Sequence, residues 1–148
     1  MVVKLLKPMA GFMLLLSIII SPGVNAQEFG GSSLLDGAFT EEQAINGQTL
    51  YYDHCLQCHG EAMNGVDQAP PLAGPQFASN WSGETLLSLV ERMNTMPPDR
   101  PGVLSRQQAV DLLAFILWFN ELPLGTTPMA SDRDSLMNIV FETPTPQY

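Results

Sequence analysis

Both cysteines of this chain and one of its two histidines lie close together, at Cys55, Cys58 and His59. The other histidine, His54, directly precedes them. Thiols and imidazoles at this spacing can form a redox disulfide, bind a zinc ion or carry a covalently attached haem. The remaining sequence helps to distinguish these three chemistries.

The spacing of these residues favours a covalent haem over the two alternatives. A redox C-x-x-C pair usually follows a β-strand in a βαβ unit, and no strand pattern precedes Cys55. A zinc site needs four ligands in a tetrahedral array, whereas the candidate ligands here all lie on one short segment. C-x-x-C-H is the attachment pattern of c-type haem, in which the thiols form thioethers and the histidine binds the iron. Cys55 and Cys58 are therefore predicted to attach haem, with His59 as an axial ligand.

The iron of such a haem needs a second axial ligand, and methionine is the residue type that remains. His54 precedes His59 on the same tethered segment, so it cannot easily reach the opposite face of the haem. Met96 follows a predicted helix and precedes Pro97 and Pro98, which restrict the loop and reduce the entropy lost on ligation. Met96 is therefore the predicted ligand. The alternatives are Met93, Met63 and Met129.

Two capping boxes mark the helices that must position these residues. The sequence TEEQ at residues 40–43 predicts a helix over about residues 41–54, which ends at the C-x-x-C-H segment. The sequence SRQQ at residues 105–108 predicts a strongly apolar helix that must pack on more than one face. Pro123 stops that helix.

The segment between these two helices is predicted to contain one more helix and long loops. WSGETLLSLVERM, residues 81–93, carries an apolar stripe at helical spacing, with Ser82 as the expected N-cap. Residues 60–80 contain PPLAGP and are predicted as a loop. A short helix or turn is expected within residues 134–142. Since no alternating apolar pattern predicts a strand, the fold class is all-α.

The N-terminus has the pattern of a secretory signal peptide, residues 1–26. Lys4 and Lys7 precede an apolar run at residues 9–20, and small residues at the −3 and −1 positions predict cleavage after Ala26. The run is shorter than the roughly 20 apolar residues of a membrane span, so no span is predicted in the mature form. The predicted localisation is periplasmic, and an uncleaved anchor helix is the alternative. Residues 27–39 are predicted to form a flexible arm.

Acidic residues dominate the charge of the chain, with 15 Asp and Glu against 6 Lys and Arg. Both lysines lie in the predicted signal peptide. Such a charge argues against binding nucleic acid, whose phosphates would repel it. It fits a partner with a basic docking patch, although solubility alone is an alternative explanation.

Residues 40–124 resemble the small single-haem cytochrome c family. The matching segments occur in the order of the family: GQTLYYDHCLQCHG, APPLAGPQF, WSGETLLSLV, TMPPDRPGVLS and DLLAFIL. The resemblance implies a cytochrome c fold, with three main helices and long Pro/Gly loops around one covalently attached haem c. The chain looks like the cytochromes that serve exported dehydrogenases, including those that use pyrroloquinoline quinone. Residues 125–148 have no counterpart in minimal members and form a predicted C-terminal extension.

The resemblance also suggests roles for individual residues. Met96 matches the methionine ligand of the family, and Pro70 matches a proline whose carbonyl accepts a hydrogen bond from the ligand histidine, with Pro71 as the alternative. Trp81 matches a tryptophan whose indole N–H reaches a haem propionate. Apart from the resemblance, Arg100 is a candidate for offsetting a propionate charge, with a solvated loop arginine as the alternative.

Gly47 and Tyr51 match a pair on the first helix that packs against the last helix, here at Leu112 and Phe115. A glycine in the middle of a helix costs about 1 kcal/mol relative to alanine. Its presence at position 47 therefore indicates close packing against another element.

Together these features predict an electron-transfer protein rather than an enzyme. The chain is expected to carry single electrons from a periplasmic dehydrogenase, with the quinone-dependent class as a candidate, to a terminal oxidase or another cytochrome. One alternative is a tightly bound cytochrome subunit of a dehydrogenase, with Trp118 and Phe119 as contacts. Another is a haem enzyme or gas sensor with a labile methionine ligand.

Overall fold

The computed structural model describes residues 33–67 and 69–143, and in these ranges the chain is helical. A 3-10 helix covers Leu34–Asp36. The α-helices are α1 Glu41–His54, α2 Leu56–His59, α3 Gly74–Trp81, α4 Leu86–Met93, α5 Arg106–Phe119 and α6 Arg133–Met137. One isolated antiparallel bridge, between Thr85 and Val140, is the strand-like feature of the described chain. The prediction of an all-α fold is confirmed.

The predicted signal peptide, residues 1–26, lies outside the described residues, as does its cleavage after Ala26. None of the helices in the described ranges is long and apolar enough to cross a membrane.

Both predicted capping boxes are present, and each begins the helix that it was expected to begin. Thr40 Oγ1 accepts a hydrogen bond from Gln43 N–H at 3.4 Å, and Gln43 returns a contact to the Thr40 backbone. Ser105 Oγ accepts from Gln108 N–H at 3.2 Å with the same reciprocal contact. Each box satisfies two backbone N–H groups that the helix itself leaves unpaired.

Helices α1 and α5 cross at Gly47, with the backbones in close contact. A Cβ atom on residue 47 would lie 1.8 Å from the Asp111 carbonyl oxygen and 2.9 Å from Phe115 Cβ, so only glycine fits. One turn later, the Tyr51 ring packs edge-on against the Phe115 ring, with centroids 5.5 Å apart. The close packing expected at position 47 is confirmed.

The predicted loop at residues 60–80 contains helix α3, which the sequence pattern did not predict. Its N-cap, Ala73, offers no side-chain acceptor, so the usual start signal is missing. Pro75 in the first turn is the signal that remains, because its fixed φ angle suits a helix start.

The prediction that Ser82 caps the next helix is wrong. Ser82 ends α3, and Gly83 follows with a φ angle of +84°, which no helical residue adopts. Helix α4 begins three residues later, where Thr85 Oγ1 accepts a hydrogen bond from Ser88 N–H at 3.3 Å.

Both ends of the described chain pack onto the helical core. Leu34 and Phe39 are buried, so residues 33–39 differ from the flexible arm predicted there. Leu136 and Phe141, in the C-terminal extension, are buried as well. The core therefore draws on segments that flank the haem-type motifs as well as on the helices between them.

Candidate haem site

A cavity opens between the C-x-x-C-H segment, α3, α4, α5 and the loop after α4. Its empty space, together with the open solvent at its mouth, amounts to about 610 Å³. The residues that line it are His54, Cys55, His59, Leu72, Phe77, Trp81, Leu89, Arg92, Met93, Met96, Pro97, Leu104, Leu112 and Ile116. Most of this lining is apolar, and the few polar groups are an arginine, an indole, a thiol and two imidazoles.

His59 is held in a defined orientation and tautomer. Its Nδ1 lies 2.9 Å from the Pro70 carbonyl oxygen. A carbonyl oxygen can only accept, so Nδ1 carries the proton and Nε2 keeps a free lone pair. Burial lowers the pKa of His59, and the hydrogen bond to Pro70 partly opposes this effect. A neutral imidazole with a free Nε2 is the form that binds a metal.

Cys55 and Cys58 are free thiols on either side of one helical turn. Backbone N–H groups of Cys58 and His59 both donate to the Cys55 carbonyl, at 3.1 and 2.9 Å, and form the turn of α2. Cys55 is half-buried in the cavity lining, whereas Cys58 is exposed and outside it. Burial, with a smaller contribution from Cys58, raises the pKa of Cys55 to about 11.

The four candidate methionines are separated by the structure into two pairs. Met93 and Met96 both line the cavity, Met93 from the end of α4 and Met96 from the loop that follows. Met63 and Met129 are buried elsewhere and do not belong to the lining. The cavity therefore offers two thioethers, those of Met93 and Met96.

Trp81 lines the cavity, but Arg100 does not. The Arg100 side chain is exposed and lies 3.5 Å from the Asp99 carboxylate. Arg92, in the last turn of α4, occupies the lining instead. Leu89, Arg92 and Met93 line the cavity from one face of α4, and that helical spacing could have identified Arg92 from sequence.

Asn120, at the end of α5, is a structural contributor to the site that the sequence reading did not single out. Its amide Nδ2 donates to the Leu72 carbonyl at 2.9 Å and to the Ile116 carbonyl at 2.7 Å. Its Oδ1 accepts from the Gly74 backbone N–H at 3.0 Å. Asn120 thus ties the loop after the C-x-x-C-H segment to the helix that forms the opposite wall. A polar residue just past a helix end was the available signal.

Tyr51 holds the other end of this loop. Its hydroxyl donates to the Gly60 carbonyl at 2.6 Å, directly after His59. Burial is the main reason that the pKa of Tyr51 rises to about 12.

The residues present fit a covalently attached haem better than zinc or a redox disulfide. In the described parts of the chain, no three His, Cys, Asp or Glu side chains are gathered as a metal site. The two thiols follow a helix rather than a strand and are not joined. An apolar cavity bordered by a thiol, an oriented imidazole and two thioethers suits a haem with axial His and Met ligands.

Comparison with known proteins identifies the family. No curated protein matches the chain. A solved structure, the sulfane dehydrogenase SoxCD from Paracoccus pantotrophus, is similar at 24% identity and a TM-score of 0.45. That match covers 66% of this chain and 52% of the other, so this chain spans about half the length of the matched chain. The family model described as Cytochrome C oxidase, cbb3-type, subunit III matches residues 42–116. The chain belongs to this family of c-type cytochrome domains, whose cofactor is haem c.

Proposed function

We propose that this chain is a periplasmic electron carrier that accepts single electrons from a dehydrogenase and passes them to a terminal oxidase or another cytochrome. In this proposal Cys55 and Cys58 attach the haem, and His59 and Met96 are the axial ligands. The observation that carries the proposal is the oriented His59, with Nδ1 bonded to Pro70 and Nε2 free, in a cavity that also contains thioethers. The bound haem supplies one-electron chemistry.

The residues around the cavity have three roles in this proposal. Pro70 fixes the imidazole ring of His59 and increases its basicity through the Nδ1 hydrogen bond. The thioether of Met96 favours the reduced metal and raises the reduction potential. If His59 and Met96 both held the iron, a substrate would have no coordination site, which would suit electron transfer rather than bond-making chemistry.

The polar groups of the lining suit the propionates of the haem. Arg92 is the cation that we expect to offset their charge, and it lines the cavity, whereas Arg100 lies beside Asp99 outside it. Trp81 offers an indole N–H as a donor, since Trp carries a donor and no acceptor. An Arg92→Gln variant should therefore lower the reduction potential, while Arg100→Gln should leave it nearly unchanged.

The choice of Met96 over Met93 is tested by two matched variants. The oxidised protein should show the weak near-infrared band of a methionine sulfur bound to iron. Met96→Ala should lose that band and drop in reduction potential, while Met93→Ala should keep the band. Loss of the band in Met93→Ala with its retention in Met96→Ala would contradict the assignment.

The gas-sensor alternative is distinguished by carbon monoxide. A reduced carrier with a firmly held Met96 should bind the gas slowly or not at all. Rapid binding with a large spectral change would indicate a labile ligand and favour a sensor or haem enzyme.

The donor and the place of action need separate experiments. Mixing the oxidised protein with candidate dehydrogenases, quinone-dependent ones included, should reduce the haem at a rate that falls with added salt if a basic patch docks on this acidic chain.

The exported protein should begin at Gln27, as the predicted cleavage after Ala26 requires. A mature protein that retains residues 1–26 would indicate an anchored form instead.

A second candidate function, a fixed subunit of a dehydrogenase complex, is favoured by an aromatic groove. Tyr52, Trp118 and Phe119 are exposed and line this groove together with Glu61. Aromatic faces beside a carboxylate suit an arginine or lysine side chain of a partner. If the unaltered protein co-purifies with a dehydrogenase and the Trp118→Ala variant, which has the same net charge, does not, the fixed-subunit function is supported. If both proteins purify as monomers, the free carrier is supported.

A further inference from the structure

The C-terminal strap, defined as residues 125–143, extends beyond the residues 42–116 that match the family model. It contains α6 and runs across the fold from the start of α1 to the segment between α3 and α4. Its residues are not needed to explain the axial ligands or the haem attachment.

The first anchor of the strap lies near the N-terminus of α1. The Gly125 backbone N–H donates to the Phe39 carbonyl at 2.7 Å. A Cβ atom on residue 125 would lie 1.9 Å from the Gly37 carbonyl oxygen, so the two backbones meet with no room for a side chain. This contact fixes where the strap leaves the end of the cytochrome domain.

The second anchor is a buried pair of hydrogen bonds to Gln43. Gln43 Nε2 donates to the Met129 carbonyl at 3.0 Å, and Gln43 Oε1 accepts from the Met129 N–H at 2.7 Å. The Gln43 side-chain amide thus donates to and accepts from the backbone of Met129, as a residue of a neighbouring β-strand would. Further along, Arg133 forms an ion pair with Glu91 on α4 at 2.6 Å.

The far end of the strap is bonded to the segment that joins α3 to α4. The Phe141 N–H donates to the Glu84 carbonyl at 2.7 Å, and the Phe141 carbonyl accepts from Gly83 N–H at 3.1 Å. Leu86 N–H donates to the Ile139 carbonyl at 2.9 Å. These backbone bonds leave little freedom in the position of residue 141.

Phe141 connects the strap to the cavity wall. Its side chain is 1% exposed and packs edge-on against Phe77, with centroids 5.5 Å apart and an interplanar angle of 86°. Phe77 lines the cavity and lies 6.5 Å from the Trp81 ring, which also lines it. The strap thus reaches the haem site through one buried aromatic contact.

We infer that Phe141 is a positioning residue for the haem: it holds Phe77 and Trp81 as a closed wall and so raises the reduction potential. The inference rests on the proposed haem assignment. Removal of the ring leaves a void behind Phe77, and either the wall relaxes or water enters. A wetter surrounding stabilises the more highly charged oxidised metal, so the potential falls.

The test compares three variants of the haem-loaded full chain. Phe141→Ala should lower the midpoint potential and change the Soret circular dichroism, while the covalent haem mass and the methionine band remain. Phe141→Leu should show a smaller shift in the same direction. Val140→Ala, next to it but exposed, is the matched control and should leave both readouts unchanged.

The outcomes separate this inference from the proposed function. If Phe141→Ala does not fold, Phe141→Leu carries the test, since it retains most of the buried side chain. An unchanged potential in the folded variants, with only a loss of unfolding free energy, would mean that the strap is merely structural and would overturn the inference. Absence of covalent haem in the unaltered protein would instead refute the proposed function.

Discussion

The two sides of the cavity are held by different kinds of hydrogen bond. On the imidazole side, residues 59–74, side chains of other helices add hydrogen bonds to those within the segment: Tyr51 reaches Gly60, and Asn120 reaches Leu72 and Gly74. On the thioether side, residues 94–102, the hydrogen bonds within the described chain join the loop to itself or to the end of α4.

Because of this difference, substitutions on the two sides should affect different properties: the free energy of unfolding on one side, and the ease with which the methionine ligand is replaced on the other. Bonds from α1 and α5 make the imidazole side part of the fold, so damage there should lower the free energy of unfolding. A loop that bonds only to its own neighbourhood can move while the helices stay in place. Changes on the thioether side should therefore alter ligation more than global stability.

The crossing of α1 and α5 joins the two longest helices of the described chain, and breaking it should have the largest effect. Gly47→Ala would place a Cβ 1.8 Å from the Asp111 carbonyl oxygen. Because the obstacle is backbone, we expect a loss of more than about 4 kcal/mol of unfolding free energy, measured by urea denaturation. Asn46→Ala, exposed on the same helix, is the control; similar stability of the two variants would contradict the packing described here.

On the imidazole side, Asn120→Ala should be the next most severe change. It removes the bonds to the Leu72 and Ile116 carbonyls and to the Gly74 N–H. Leaving such groups unpaired costs about 1–3 kcal/mol, which urea denaturation would detect. The exposed Asn80→Ala on α3 should have little effect. A stability loss no larger than that of Asn80→Ala would show that this side is not held as we describe.

A smaller effect on the same side is expected for Tyr51→Phe, about 1 kcal/mol, because the Gly60 carbonyl loses its donor. The pKa of Tyr51 is raised from 10.0 to about 12 in the folded protein. The folded state thus keeps a proton that the unfolded state loses first, so Tyr51 contributes full stability below pH of about 10 and loses it as pH rises towards about 12.

The free energy of unfolding, measured as pH rises from about 10 to about 12, tests the direction of this pH dependence. The unaltered protein should lose stability more steeply than Tyr51→Phe, and the exposed Tyr52→Phe should behave like the unaltered protein. Equal slopes for all three proteins would show that the Tyr51 hydroxyl does not contribute.

On the thioether side, Pro98→Gly should have the smallest effect on stability, about 0.4–1 kcal/mol, through the entropy of the unfolded chain. The same change should speed the replacement of Met96 by added imidazole, followed by stopped-flow absorbance of the oxidised protein. Pro128→Gly changes the chain entropy equally but lies in the strap, so it should not alter that rate. If both variants bind imidazole equally fast, loop stiffness does not protect the ligand.

Local signals explain which parts of the fold were predictable. Helices α1 and α5 begin where their capping boxes predicted, because a capping box acts within four residues. Helix α3 was missed because Gly74 and Pro75 indicate a loop when read alone, and its N-cap has no side-chain acceptor. The prediction of Ser82 as a cap failed for a related reason, since Gly83 interrupts the helix.

Long-range contacts explain what the sequence could not supply at the site. The role of the segment around Cys55 and His59 could be predicted, because the local C-x-x-C-H spacing is itself the signal for haem attachment. The contact between Phe141 and Phe77 joins residues 64 positions apart, and no local pattern indicates it.

The central claim is that Cys55 and Cys58 carry one covalently attached haem. Mass spectrometry of the intact protein, made in a host that performs haem attachment, tests it most directly. We expect a chain heavier than its amino acids by one haem, and the bare mass in a Cys55→Ala, Cys58→Ala double variant. A bare mass for the unaltered chain under the same conditions would contradict it.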